Sequence, residues 1–233
     1  MDFKNLKAFT IPEGSVSKIT AGGVVLWESM RVPKEYQEVE WIQVSTSVGA
    51  YLNLGFTFDT AAKVRLGMYA VNSEAAYIFG AAEQSGVYRC MISAPYGGGL
   101  DAYGYNTANS AYIAHKRALV ANVLNELEYS FKPGKATTTF INKTNGQSST
   151  SDCDTYTMSS NLYLFGQNYN GTARFGAYRK IKYFQYYDKN DTLICDLVPC
   201  YRKSDGVIGM YDRARNTFLT NVGSGTFTKG ADV

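Results

Sequence analysis

Between Ile181 and Val198 the side chains spell out a hairpin. Ile181 to Tyr187 is one run of ring-bearing and β-branched residues, Thr192 to Val198 is a second, and the polar tetrapeptide Asp188-Lys189-Asn190-Asp191 divides them. Aromatic and β-branched side chains fit a pleated, half-buried surface, whereas Asp and Asn close turns. A short segment around Ile208 to Tyr211 follows. Asn221-Val222-Gly223-Ser224-Gly225-Thr226 is too rich in glycine for regular structure, so a turn and one last strand, Thr226 to Thr228, are expected as a closing edge.

The same grammar runs through the rest of the chain. Val39, Trp41 and Gln43 alternate with Glu40, Ile42 and Val44, which predicts a strand, and Ser45 to Gly49 is a polar turn before Tyr51 to Phe56. From Lys63 to Val71, apolar Val64, Leu66, Met68 and Ala70 interleave with Lys63, Arg65, Gly67 and Tyr69, a strand with one face buried. Tyr77 to Ala81 and Val87 to Ser93 continue the short strands. No period of 20 to 50 residues recurs, so nothing supports a solenoid or propeller.

Two parts of this pattern match a known family. Leu162-Tyr163-Leu164-Phe165-Gly166 followed by ARFGAYRKIKYFQYYD (173–188) resembles the end of a concanavalin A-like or laminin-G-like sandwich. The tail from Asp196 to Gly230 and the opening PKEYQEVEWIQVSTSVGAYLNLGF (33–56) are similar to modules in tail and baseplate-associated proteins of phages infecting gut Firmicutes. The matched segments frame residues 33 to 229, with a middle from about Glu83 to Asn122 that matches poorly. The resemblance implies an all-β, antiparallel jelly-roll sandwich over residues 32–233 and a virion protein.

Residues 1–31 read as a separate unit. Phe9 and Ile11 flank Thr10, Pro12-Glu13-Gly14 punctuates, and Gly22-Gly23 precedes Val24-Val25-Leu26-Trp27, which together predict a short hairpin. A lone hairpin is marginal in water, so it must lean on something. Its own sandwich is one support. The other is a neighbouring virion subunit, touched through Phe3, Leu6, Phe9, Ile11 and Trp27, and similar openings in phage tail proteins favour this docking arm.

Residues 94 to 112, APYGGGLDAYGYNTANSAY, have the most unusual composition. Read as an exposed loop, they offer Tyr96, Tyr103 and Tyr105 to stack on the apolar faces of sugars. Asp101, Asn106 and Asn109 would bond sugar hydroxyls, and Gly97 to Gly99 would let the backbone come close. The plainer alternative is a hairpin loop whose tyrosines pack on the next strand. Neither GxxxxGK[ST] nor GxGxxG occurs, so the glycines are no phosphate cradle.

The stretch from Ala111 to Leu127 is ambiguous. Leu119, Val120, Val123, Leu124 and Leu127 fall at helical spacing. Strands over Lys116 to Val123 and Leu127 to Phe131, with Lys132-Pro133-Gly134-Lys135 turning into Ala136 to Asn142, fit the Thr-rich partner and agree with the family. Lys143 to Ser160 is polar, carries the turn dipeptide Asn145-Gly146 and reads as a solvated loop. Asp152 and Asp154 could both reach a calcium ion, as in some members of the wider superfamily, yet two carboxylates fall short of the six to eight oxygens calcium takes. No cofactor is expected.

Composition excludes several functions. A formal charge of +3 with 18% charged residues and no basic block gives no reason to expect nucleic acid. Aromatics at 14%, with 19 Tyr against 2 Trp, suit half-exposed strand faces where ring packs and hydroxyl stays wet. Cys90, Cys153, Cys195 and Cys200 form no CxxC pair, and His115 is the sole histidine, so zinc and thiol–imidazole chemistry lack partners. Met1 to Lys4 opens no apolar leader and no long apolar run follows, so neither a Sec signal nor a membrane span is expected; the product would be made in the host cytoplasm. Sequons at Asn142, Asn170 and Asn190 read as loop composition.

Jelly-roll glycosidases of this superfamily carry paired carboxylates on one strand, and Glu126-Leu127-Glu128 comes nearest here, without a third acid. Catalysis is not expected. Two functions remain open: a phage tail or baseplate accessory protein that binds host-surface glycan, as a homo-oligomer because shallow sugar sites gain from multivalency, and a purely structural virion protein. A glycan hydrolase is a third, disfavoured one.

Overall fold

The computed structural model describes residues 18–21, 24–28, 32–45, 49–59, 62–69, 76–83, 88–94, 101–108, 111–132, 137–152, 157–175 and 179–233. For 18–21, 24–28, 59, 76, 88–89, 94, 101–108, 111–116, 131–132, 137 and 175 it describes the backbone alone. All regular structure among these residues is β. The first strands in chain order are β1 (Lys18–Ala21), β2 (Val24–Glu28), β3 (Tyr36–Glu38), β4 (Ile42–Val44), β5 (Leu52–Asp59), β6 (Lys63–Tyr69) and β7 (Ala76–Glu83). Next come β8 (Tyr88–Ala94), β9 (Asp101–Ala108), β10 (Ala111–Ala118), β11 (Leu124–Lys132), β12 (Thr137–Asn142), β13 (Gln147–Asp152) and β14 (Thr157–Leu164). The last are β15 (Gly166–Tyr169), β16 (Thr172–Phe175), β17 (Lys180–Tyr187), β18 (Leu193–Arg202), β19 (Ile208–Asp212), β20 (Thr217–Thr220) and β21 (Phe227–Lys229).

β1 and β2 form a two-stranded sheet, the expected N-terminal hairpin. The other strands build the two layers of a jelly-roll sandwich. One sheet runs β10-β9-β8-β7-β14-β5, with β15 and β16 attached; the other runs β13-β12-β11-β6-β17-β18-β19-β20, with β3, β4 and β21 attached. Pairing is antiparallel except between β15 and β7. The opening and closing segments share the second sheet, β3 beside β18 and β4 between β17 and β21.

Period-two alternation decides what lies between the layers. Val64, Leu66 and Met68 on β6 point inward with Phe184 and Tyr186 on β17, and meet Leu52, Leu54 and Phe79 of the facing sheet, all at most 1% exposed. Ring pairs span the layers: Phe79 to Phe184 at 5.1 Å and Phe56 to Tyr186 at 4.7 Å between centroids. Such pairs add to simple area burial. Cys90, Cys195 and Cys200 are buried, and burial pushes Cys200 up to about 12, so they act as small core residues.

Several boundaries differ from the sequence reading. Of the expected strand over Val39 to Val44 only β4 (Ile42–Val44) forms; β3 precedes it beside β18, Val39 makes a lone bridge to Asp232, and Trp41 falls in the step where the chain changes partner from β18 to β17. Residues 111 to 127 are strands, but the first ends at Ala118 and the second starts at Leu124. Asn125, fully buried, makes the difference. Its amide accepts from Val120 N at 2.8 Å and donates to the carbonyls of Val120 and Val123, stitching residues 119–123 into a turn that leaves Val120 and Val123 exposed. The polar stretch after Lys143 is a turn at 143–146 followed by strand β13, not a loop throughout; its serines and threonines pair along β12, where an edge strand tolerates polar side chains. Asn142 is fully buried and donates to Ala118 O at 2.8 Å, which removes that sequon from the surface.

Candidate functional site

The second sheet turns its inner face to the core and carries an ordered polar row on its outer face. Register builds the row: Glu128 on β11 stands opposite Arg65 on β6, Arg65 opposite Gln185 on β17, and Gln185 opposite Asp196 on β18. Strands lie ~4.8 Å apart, so the four residues cross about 14 Å of sheet at right angles to the strands. Their neighbours Leu127, Leu66, Phe184 and Leu197 are buried in the core, which fixes the polar side chains outward.

Hydrogen bonds join the row end to end. Arg65 Nε donates to Glu128 Oε2 at 2.8 Å, and Lys143 Nζ donates to the same oxygen at 2.7 Å. Tyr187 donates its hydroxyl to Gln185 Oε1 at 3.1 Å, and the Gln185 amide donates to Asp196 Oδ1 at 3.1 Å. Arg213, in the turn after β19, folds back to donate twice to Asp196 Oδ2, at 2.9 and 2.5 Å. Lys143 is delivered by the turn at 143–146, where its backbone N–H donates to Glu126 O at 2.8 Å. Burial would push Glu128 up, but the hydrogen bonds and charges of Lys143 and Arg65 outweigh it and hold the carboxyl below its ordinary range. Arg65 is correspondingly raised, chiefly by its bond to Glu128.

Next to the row, Tyr183 lies on Gly67. A Cβ at Gly67 would sit 2.2 Å from Tyr183 Cε1, so only glycine lets the ring rest on the sheet. A bulge makes this possible. Ile181 and Phe184 both point into the core, and strict alternation would send Tyr183 inward with Ile181; the register shift between Ile181 and Tyr183 turns the ring out. The Tyr183 hydroxyl donates to Glu126 Oε1 at 3.2 Å, and burial with the nearby Glu126 charge raises its pKa. Arg65, Glu126, Lys143, Tyr183, Gln185, Asp196 and Arg213 line an open groove of about 370 Å³, within the range of small-ligand sites.

The residues singled out from sequence lie elsewhere. Asp101, Tyr103, Tyr105 and Asn106 belong to strand β9 rather than to a loop, a correction that follows from alternating Tyr and Thr between turn formers. Backbone pairing sets Tyr103 opposite Ser93 and Tyr105 opposite Met91, both buried on β8. Tyr96, Asn109 and Asp154 fall outside the described residues, as do Phe3, Leu6, Phe9 and Ile11; Trp27 is on β2. Asp152 is exposed on β13, and among the described residues no group of three or more His, Cys, Asp or Glu could hold a metal ion. Glu126 and Glu128 do share a face, as their spacing predicts. The alternation of β6, β11 and β17, with a glycine among large residues at position 67, was the one signal pointing to the groove.

No family model matches the chain, and no curated protein matches it. Its similarity is to solved structures of low identity. A candidate carbohydrate-binding protein from Bacteroides ovatus aligns over 84% of this chain with a TM-score of 0.52 and 10% identity, and the chain spans 62% of that protein's length. A heptameric pentraxin from Limulus polyphemus aligns over 67% of this chain and 77% of its own, with a TM-score of 0.44 and 8% identity. Tailspike protein 2 of the Escherichia coli O157:H7 bacteriophage CAB120 aligns over 71% of this chain and 27% of its own, with a TM-score of 0.35 and 9% identity. At these identities the likeness is one of fold, and the fold is a two-layer β-sandwich.

Proposed function

We propose that this chain is a non-catalytic carbohydrate-binding module, that the groove over Gly67 is its ligand site, and that it serves as an accessory protein of a phage virion. One observation carries the reading: a tyrosine ring seated on a glycine beside a row of donors and acceptors already fixed by one another. An aromatic ring suits the apolar face of a sugar, and preorganised polar groups suit its hydroxyls without having to be ordered on binding. The groove runs across the strands and is open, which fits a linear chain better than an enclosed small molecule. The Bacteroides ovatus protein of similar fold is itself described as a candidate carbohydrate binder.

Binding without hydrolysis is the better-supported half of the choice. A glycosidase needs one carboxyl kept protonated to act as acid. Glu128 is held ionised by Arg65 and Lys143, and Asp196 is tied to Arg213, so both are engaged as structural acceptors; Glu126, the remaining groove carboxylate, accepts from the Tyr183 hydroxyl. The virion setting and the role of residues 1–31 as a docking arm rest on the resemblance of the chain's two ends to phage tail modules; several copies on one particle would multiply a shallow site's affinity.

The test is a glycan array with host-type surface polysaccharides, run with the wild type and with Tyr183→Ala. Binding that falls by roughly tenfold or more in the variant supports the reading. Wild-type incorporation into virions with no signal on any glycan would overturn it in favour of a purely structural virion protein. Binding that survives Tyr183→Ala but is lost in a Tyr103→Ala, Tyr105→Ala double variant would move the site to β9.

A further inference from the structure

The groove's charges narrow the kind of sugar it would take. Along the outer face of the second sheet, Trp41 carries Lys180 Nζ 4.2 Å from its ring centroid, and Tyr187 carries Lys63 Nζ at 4.1 Å and Arg65 Cζ at 5.3 Å. Tyr183 stands between them along β17 and, among the described residues, has no cation over its ring. Its hydroxyl is bonded instead to Glu126. Glu126 is exposed and differs from the other groove carboxylates: Glu128 holds Arg65 and Lys143, Asp196 holds Arg213, and Glu126 has no cationic partner among the described residues.

A ring without a cation and a carboxylate without a cation therefore meet at one place in the groove. Each attracts an ammonium group, the ring through its negative face and the carboxylate through a charge-assisted hydrogen bond. The cations that line the groove, Arg65, Lys143 and Arg213, are each held on another acid. An acidic sugar arriving over Tyr183 would meet Glu126 and be repelled.

We infer that the groove selects glycans bearing a free amino group, with the ligand ammonium seated between Glu126 and the Tyr183 ring. This rests on the reading of the groove as a glycan site and adds the ligand's charge to it. Neutral and N-acetylated chains of the same backbone would bind through stacking and hydroxyl contacts alone.

The test is calorimetric titration of the whole chain with a β-1,4-linked glucosamine hexamer, its fully N-acetylated counterpart and cellohexaose. A pH of about 5.5 keeps the amines protonated. The amine-bearing hexamer is expected to bind about tenfold more tightly than the other two, and Glu126→Gln to remove that preference. Glu126 is exposed, so thermal unfolding of the variant should match the wild type. Equal binding of all three probes, or a preference that survives Glu126→Gln, overturns the inference and leaves the glycan reading standing. If none of the three binds, the inference falls, and the glycan array decides whether the reading beneath it falls as well.

Discussion

Two acid–base clusters stand on the same sheet and do different things. At the groove, Glu128 meets Arg65 and Lys143 on a surface that solvent reaches. At the turn after β19, Asp212 is completely buried and takes four bonds: from the backbone N–H of Asp196 at 3.1 Å, Ala214 at 3.0 Å and Arg215 at 3.3 Å, and from Arg215 Nε at 2.5 Å. Arg215 then reaches across to the other layer and donates to Leu54 O on β5 at 2.6 Å. Asp196 belongs to both clusters, its backbone to the lock and its side chain to the groove. The chemistry is shared and burial separates the roles: a buried carboxylate held by four hydrogen bonds fixes the layers to each other, while a partly exposed one presents a surface.

The sharpest way to break this contrast is Asp212→Ala. Removing one partner of a buried pair strands a charge and several backbone donors, so a loss of about 3–5 kcal/mol in urea unfolding is expected. A loss near that of a surface pair would mean that Asp212 is not the lock described. Next comes Gly67→Val, which acts on the groove alone. The new side chain must displace the Tyr183 ring, and glycan binding should fall by about 2 kcal/mol, roughly thirtyfold, with far less effect on the unfolding midpoint. Binding unchanged in this variant would separate Tyr183 from the ligand.

The fold was legible because its signals are local, and the groove was not because its signals are relative. The KVRLGMY run of β6 announces its inward Val64, Leu66 and Met68 by alternation, and Asp188 to Asp191 announces its turn, where Asp188 accepts from Asn190 N at 2.8 Å and Thr192 N at 2.9 Å. Which strand lies beside β6 is not written in β6. Only pairing brings Glu128, Arg65, Gln185 and Asp196 into one row from positions far apart in sequence, and only a bulge, invisible in composition, turns Tyr183 outward onto Gly67. Composition alone, glycines among tyrosines, makes residues 94–112 read as a loop. The alternation of Tyr103, Tyr105 and Thr107 belongs to a strand.

A third, smaller effect concerns pH. Glu128 titrates below its ordinary value of 4.5 in the folded chain, so the folded state binds fewer protons than the unfolded one in mild acid. The stabilisation is complete above that ordinary value and drains away as pH falls through the lower folded one. Its size is about 1 kcal/mol, since the pair is partly solvated. Glu128→Gln should flatten this part of the acid limb in pH-dependent urea melts, and a limb as steep as in the wild type would assign the effect to other carboxylates.

The least effect is expected at Arg202 and Asp205, whose fork of bonds at 3.1, 3.1 and 2.6 Å looks as strong on geometry as the one at Asp212. Both side chains are more than two-fifths exposed, at 41% and 43%. Water already solvates the pair when it is broken, and salt screens it when it is made. Arg202→Ala should therefore leave the unfolding midpoint where it is at physiological salt, even though the three bonds lost are as short as the four that hold Asp212. A clear drop in stability would show that hydrogen-bond geometry, rather than burial, ranks the ion pairs of this sheet, and the distinction between lock and groove would have to be drawn on other grounds.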